Sequence, residues 1–140
     1  MDAKKQELLE LYRIMVESSA NNENKRLKMN MLYTTLIVGI YALMGLNEGG
    51  NIYLPLIAIA IAFIWGLTIN HYRLLAQAKY DAVILELEKA FEMPIFAKEW
   101  EYLKKHSPKL ELTKIERLLP LIIIILSTII FMIEVIQILL

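Results

Sequence analysis

The Lys and Arg residues of this chain avoid three long apolar stretches, and this segregation constrains the fold more than any other feature. The stretches cover residues 31–46, 52–69 and 118–140. Of the 15 basic residues, six precede the first stretch and nine lie between the second and the third, while the connector 47–51 has none. Because positive charge stays on the cytoplasmic side of a membrane, the sequence predicts three spans, with the N-terminus in the cytoplasm and the C-terminus outside.

Composition excludes several classes of protein. The 140 residues are 57% hydrophobic, which is more apolar than an ordinary soluble domain. The formal net charge is zero, so a nucleic-acid partner would have no electrostatic support. The chain has no cysteine, which excludes disulfides, thiolate catalysis and Cys-based metal sites. The charged N-terminal segment has no signal-peptide pattern, so the first span is expected to remain in the product.

The charge pattern divides the chain into four segments. We predict a cytoplasmic amphipathic N-terminal helix in residues 1–30, a transmembrane helical hairpin in 31–70, a cytoplasmic helical region in 71–117 and a third transmembrane helix in 118–140. The amide-rich run 21–24 leaves two interpretations open, because the first helix either breaks there or continues into the first span.

The second span is expected to continue into the cytoplasm as one helix to about Glu92, because no Gly or Pro interrupts the sequence before Pro94. This extension is apolar on two faces at α-helical spacing. One face is formed by Leu75, Ala78, Ala82 and Leu85, and the other by Tyr80, Val83, Leu87 and Phe91. A helix with two apolar faces needs neighbours on two sides. The first four residues are therefore predicted to make helix–helix or subunit contacts, which favours a homo-oligomer.

Small residues recur every four positions along the second span and end in an amide. This seam consists of Ala58, Ala62, Gly66 and Asn70. Small residues at this spacing let two helix backbones approach closely, and an amide can hydrogen-bond across the contact. Two partners remain open for the seam: the first span of the same chain, where Thr35 and Gly39 offer a matching surface, or another subunit.

The third span contains the one acidic residue found inside any span, Glu134, with Ser127 two turns before it and Gln137 about one turn after it. Ionisable residues at membrane depth are costly and usually face a partner or water. In a ring of copies, this face is a candidate pore lining, and repeated carboxylates would favour cations. The alternative is that Glu134 reaches the outer headgroups.

The sequence holds no recognisable catalytic motif. His71 and His106 are isolated, without metal-ligand spacing. There is no Gly-rich phosphate loop, nucleophile–base pair or HExxH motif. The carboxylates of residues 81–101 mostly alternate with lysines, which is typical of a solvated face. We therefore predict a protein that is not an enzyme and that uses no cofactor and no metal.

Three short segments carry a resemblance to a known family. They are the Tyr-Arg-x-Leu-x-x-Ala-Lys pattern at residues 72–79, Glu-Trp-Glu at 99–101 and Ile-Glu-Arg-x-x-Pro at 115–120. With the residues around them, the chain resembles the RipA family of small octameric bacterial inner-membrane proteins over roughly residues 10–140. The resemblance implies a homo-octameric ring in the bacterial cytoplasmic membrane, and it brings no catalytic motif.

The predicted fold class is thus an all-α membrane protein with three transmembrane helices, the second extended into the cytoplasm, in a ring-shaped homo-oligomer. The leading functional hypothesis is a pore, a channel-like or a membrane-permeabilising assembly in bacterial stress response or phage defence. The alternative is a non-conducting membrane scaffold or a regulator of envelope homeostasis. The expected partners are further copies of the chain in an octamer, membrane lipids and an unidentified cytoplasmic protein trigger, with no nucleic acid.

Overall fold

The computed structural model describes residues 3–47, 51–91, 94–106 and 112–140, and within these ranges the regular structure is helical, without a strand. The helices are α1 (Ala3–Leu46), α2 (Tyr53–Gln77), a π-helical segment (Ala78–Ile84), α3 (Leu85–Glu88), α4 (Ile95–His106) and α5 (Leu112–Leu139). The predicted all-α class is therefore confirmed.

Three helical segments in the described part of the chain are long and apolar enough to cross a membrane. They are Ala3–Leu46, Tyr53–Glu88 and Lys114–Leu139. Their number agrees with the three predicted spans, and each overlaps one of the three apolar stretches of the sequence. The four predicted segment boundaries, which state where the chain meets the lipid, stay a prediction.

Helix α1 continues without interruption through the amide-rich run 21–24. Of the two interpretations left open by the sequence, the continuous helix is the one observed. The reason is local, because residues 3–38 contain neither Gly nor Pro, and Asn costs a helix only a fraction of a kcal/mol, about 0.7 or less per residue.

The chain forms two compact units. Residues 1–26 and 71–112 form the first, here called the charged unit, and residues 27–70 and 113–140 form the second, here called the apolar unit. Helix α1 contributes residues to both units.

The core of the apolar unit lies between α1 and α2. Its buried members are Ile37, Ile40, Ala58 and Ala62, and the partly buried residues packed against them include Ile123 and Ile124 of α5. The two alanines are fully buried, and their small side chains let the branched side chains of α1 and α5 lie against the backbone of α2.

Helix α5 also lies close to α2 at a glycine. A Cβ atom built on Gly66 would lie 3.8 Å from the Cβ atom of Pro120, which is ordinary van der Waals contact. Pro120 lies inside α5, and proline in a helix interior removes one backbone hydrogen bond. The small residue on α2 therefore faces the point at which the regular hydrogen bonding of α5 is broken.

The prediction that the second helix continues as one helix beyond its span agrees with the continuous helical segment Tyr53–Glu88. Two details differ from a regular α-helix with that predicted end. The seven residues Ala78–Ile84 are π-helical, and the helix ends at Glu88, whereas Glu92 lies outside the described residues. The α-helical spacing assumed for the two apolar faces therefore does not hold across the π-helical segment. Instead, Ile84 is fully buried, while Ala78 and Ala82 are exposed.

Candidate functional site

The charged unit is organised around a buried carboxylate. Glu88 is 2% exposed. Its Oε1 atom accepts hydrogen bonds from the hydroxyl of Tyr12 at 3.0 Å and from the backbone N–H of Phe96 at 2.8 Å. Its Oε2 atom accepts a third from the backbone N–H of Ala97 at 3.1 Å. One side chain thus joins α1, α3 and α4.

The carboxylate of Glu88 takes the place of a local cap at the start of α4. The first N–H groups of a helix have no partner within the helix, and the residues before Ile95 include no Ser, Thr, Asp or Asn to accept them. The partial positive charge of a helix N-terminus also stabilises an anion. Among the described residues, Glu88 has no ion-pair partner, so hydrogen bonds and the helix dipole stabilise its charge.

Aromatic rings surround this carboxylate. The ring centroids of Tyr12 and Phe91 lie 5.6 Å apart, those of Tyr12 and Phe96 6.3 Å, and those of Tyr80 and Phe96 5.7 Å. Burial, together with the hydrogen bond to Glu88 and its negative charge, raises the pKa of Tyr12 to about 12. Tyr12 lies outside the apolar stretches, and its hydroxyl remains a proton donor over the whole physiological range.

The first turn of the π-helical segment is hydrogen-bonded to α1. The Nζ atom of Lys79 donates to the Oγ atom of Ser18 at 2.7 Å and to its backbone carbonyl at 3.2 Å. The neighbouring Ser19 is buried. Burial and the nearby carboxylates of Glu23 and Glu99 raise the pKa of Tyr80, and the side chain of Ser19 partly offsets this rise.

Sequence reasoning missed the role of Glu88. The prediction that the carboxylates of residues 81–101 form a solvated face is wrong for this residue, which is buried. Alternation with lysines indicates an exposed helix face. Glu88 is buried instead because two N–H groups of α4 and a hydroxyl 76 residues away in sequence donate hydrogen bonds to its carboxylate. The missing cap before α4 is the one local signal that could have indicated a distant acceptor.

The structure places the seam inside the apolar unit. Ala58 and Ala62 pack in the core against α1, Gly66 faces Pro120, and the Oδ1 atom of Asn70 accepts a hydrogen bond from Arg117 at 2.6 Å. The predicted matching surface on α1 is not used, because Thr35 and Gly39 are exposed and the core side chains of α1 are isoleucines.

The second group of predicted contacts has mixed exposure. Leu75 and Leu85 are half-buried within the charged unit, whereas Ala78 and Ala82 are exposed. Whether any of these residues, or any residue of the seam, contacts another subunit stays a prediction.

The three candidate pore residues on α5 differ in their surroundings. Ser127 is fully buried, and its Oγ atom lies 2.9 Å from the hydroxyl oxygen of Tyr41 on α1. Glu134 is half-buried, and its Oε2 atom is buried without a hydrogen-bond partner in the described part of the chain. Gln137 is exposed. A pore-facing role for the three stays a prediction.

Further polar pairs join α1 and α2 in the apolar unit. The indole N–H of Trp65 donates to the Oδ1 atom of Asn30 at 2.9 Å, and the hydroxyl oxygens of Tyr33 and Thr68 lie 3.1 Å apart. The rings of Tyr33 and Trp65 are stacked, with centroids 6.0 Å apart. In lipid, such pairs satisfy groups that water cannot reach.

The helices and their pairing define a class of protein, and comparison with known proteins defines its family. Three apolar helices joined by polar side-chain pairs form an all-helical multi-span membrane protein. The octameric membrane protein family (8xMP) matches residues 9–136, and the chain belongs to this family. The resemblance seen in the sequence is thereby confirmed, although the family description does not carry the name RipA. No curated protein matches the chain, and no solved structure matches it.

The residues described provide no group of three or more His, Asp or Glu side chains that could hold a metal ion. Hydrogen bonds and aromatic contacts hold the charged unit together around the carboxylate of Glu88.

We expect Glu88→Ala to lower the free energy of unfolding by about 3 kcal/mol, because it removes the cap of α4 and leaves buried donors unsatisfied. Thermal unfolding of the detergent-purified protein measures the effect. The matched control is Glu86→Ala, which removes an exposed carboxylate paired with Lys89 and should change little. Equal destabilisation by the two substitutions would contradict the assigned role of Glu88.

Deleting Ala82 is expected to leave the hydrogen bonds of Glu88 intact. A π-helical segment can revert to an α-helix when it loses about one residue, so the residues on either side keep their relative orientation. Inserting one alanine after Ala82 should instead turn Glu88 by about 100° away from α4. Hydrogen exchange at the amides of Phe96 and Ala97 distinguishes the variants. Loss of protection in the deletion variant would show that the π-helical geometry itself is required.

The raised pKa of Tyr12 predicts that stability falls at high pH. The pKa of Tyr12 is about 12 in the folded chain against 10.0 for free tyrosine, so its contribution is complete below pH 10 and is lost as the pH rises towards 12. The unfolding temperature should decrease over this interval, and Tyr12→Phe should reduce the decrease. An identical pH dependence in Tyr12→Phe would contradict the assignment.

Proposed function

We propose that the chain assembles into a ring of eight copies in the bacterial cytoplasmic membrane and that this ring provides a pore or channel-like path for cations. In this proposal the N-terminus lies in the cytoplasm and the C-terminus outside. The description of the family as octameric supports the number of copies. The charge segregation of the sequence supports the orientation.

One observation carries the pore hypothesis. The Oε2 atom of Glu134 is buried and has no hydrogen-bond partner among the described residues, and none of the three apolar stretches contains Lys or Arg. A carboxylate at membrane depth usually faces a partner or water. A neighbouring copy, or water in a path between copies, would supply a hydrogen-bond donor to the Oε2 atom of Glu134. A ring of such carboxylates would favour cations.

The proposed biological role, in stress response or phage defence, rests on the same cation path. A path for cations that opens only on demand would serve a stress response or phage defence by permeabilising the membrane. The charged unit is then the part that a cytoplasmic protein trigger would reach. We propose no catalytic role for the chain, in keeping with the lack of a catalytic motif in its sequence.

A second candidate function is a non-conducting scaffold for envelope homeostasis. The observation that favours it is the internal pairing of polar groups in the apolar unit. Ser127 bonds with Tyr41, and Trp65 bonds with Asn30, so few polar side chains remain to line a water path. The scaffold needs the same assembly but no conduction.

The deciding experiment measures the mass of the assembly and the ion flux through it in the same sample. Native mass spectrometry of the detergent-purified protein should give an octamer of about 130 kDa, eight times the 16.2 kDa chain. The same sample in liposomes should conduct cations. Glu134→Gln should keep the octamer and lower the flux severalfold, because it removes the negative charge while preserving shape.

The matched control is Glu7→Gln, which makes the same chemical change at an exposed position of α1 and should leave flux unchanged. An octamer without flux would support the scaffold over the pore. A monomer under conditions that preserve the fold would overturn both proposals.

A further inference from the structure

Arg117 carries a charge that the side chain of Asn70 orients. One guanidinium N–H, on the Nη2 atom, donates to the Oδ1 atom of Asn70 at 2.6 Å, and the residue is exposed. Asn70 is neutral, so it orients the guanidinium without cancelling its charge. Among the described residues, Arg117 has no carboxylate within ion-pair distance. Of the five donors of an arginine, the remaining ones have no hydrogen-bond partner among the described residues.

Two lysines of the apolar unit lie at the same end. Tyr41 of α1 hydrogen-bonds with Ser127 of α5, and the first and third spans of the predicted topology both begin on the cytoplasmic side, so α1 and α5 run in the same direction here. Lys28 precedes Tyr41 by as many residues as Lys114 precedes Ser127. Both lysines are exposed, and the equal spacing places them, with their positive charge, at about the height of Arg117.

This end of the apolar unit corresponds to the boundary of the hydrocarbon. Arg117 directly precedes the apolar stretch 118–140, and Asn70 directly follows the stretch 52–69. The stacked rings of Tyr33 and Trp65 lie near the same end, as expected for an aromatic belt at the headgroup level. The free donors of Arg117 are therefore at the depth of lipid phosphates.

We propose that Arg117, oriented by Asn70, binds the phosphate of an anionic phospholipid, with Lys28 and Lys114 adding to its attraction. A guanidinium matches two phosphate oxygens with two parallel N–H donors. Basic sites between membrane helices on the cytoplasmic side recruit anionic headgroups. The inference stands on the geometry of α2 and α5 and does not depend on whether the assembly conducts.

The experiment is a titration of phosphatidylglycerol into the intact, detergent-purified protein, with bound lipid counted by native mass spectrometry. Arg117→Gln should lower the apparent affinity about fivefold, the effect of one basic residue at an anionic surface. Arg13→Gln is the matched control, because it makes the same change at an exposed position of α1 far from the site in sequence, and it should leave the affinity unchanged.

Asn70→Asp separates lipid binding from a structural role. The new carboxylate would pair with Arg117, so the lipid-free protein should unfold at the same temperature or higher, while its affinity for phosphatidylglycerol falls. If Arg117→Gln does not fold, Arg117→Lys tests the same point, since it keeps the charge but loses the paired donors.

Three results would overturn the proposal. The first is unchanged phosphatidylglycerol binding in both Asn70→Asp and the folded Arg117 variant. The second is equal binding of phosphatidylcholine, which would show no preference for an anionic headgroup. The third is stabilisation by inorganic phosphate alone that equals that of the lipid and depends on Arg117, which would assign the site to a free anion.

Discussion

The lack of water along the spans is the constraint on which the rest of the structure depends. In hydrocarbon, a polar group needs a partner within the protein. The apolar unit meets this requirement with pairs from different helices, such as Tyr41 with Ser127 and Trp65 with Asn30. These pairs fix the relative heights of α1, α2 and α5, while the buried alanines of α2 set how closely the helices approach. Among the described residues of the three apolar stretches, the Oε2 atom of Glu134 is buried without such a partner, and the functional proposal rests on this atom.

The features that the sequence predicts well are those set by local chemistry. A long apolar stretch bordered by Lys and Arg specifies a spanning helix whatever its neighbours are, so the number of spans could be predicted.

The features that escaped prediction depend on distant residues. The π-helical segment is held by contacts of Lys79 and Tyr80 with α1, and α-helical periodicity cannot reveal such contacts. Ser127 was predicted from its position on α5 alone, and its bond with Tyr41 could not be inferred from that helix. Glu88 likewise resembles its exposed neighbours in sequence, because its partners are backbone groups of α4 and a tyrosine of α1.

The contacts of Glu88 determine how the charged unit responds to ionic strength. Its partners are a hydroxyl and two backbone amides, which carry no net charge, and the carboxylate is shielded from solvent. Dissolved ions weaken exposed pairs such as Lys105 with Glu101 by screening, but buried contacts much less. A rise in salt would therefore loosen the surface of this unit while the connection between α1, α3 and α4 persists.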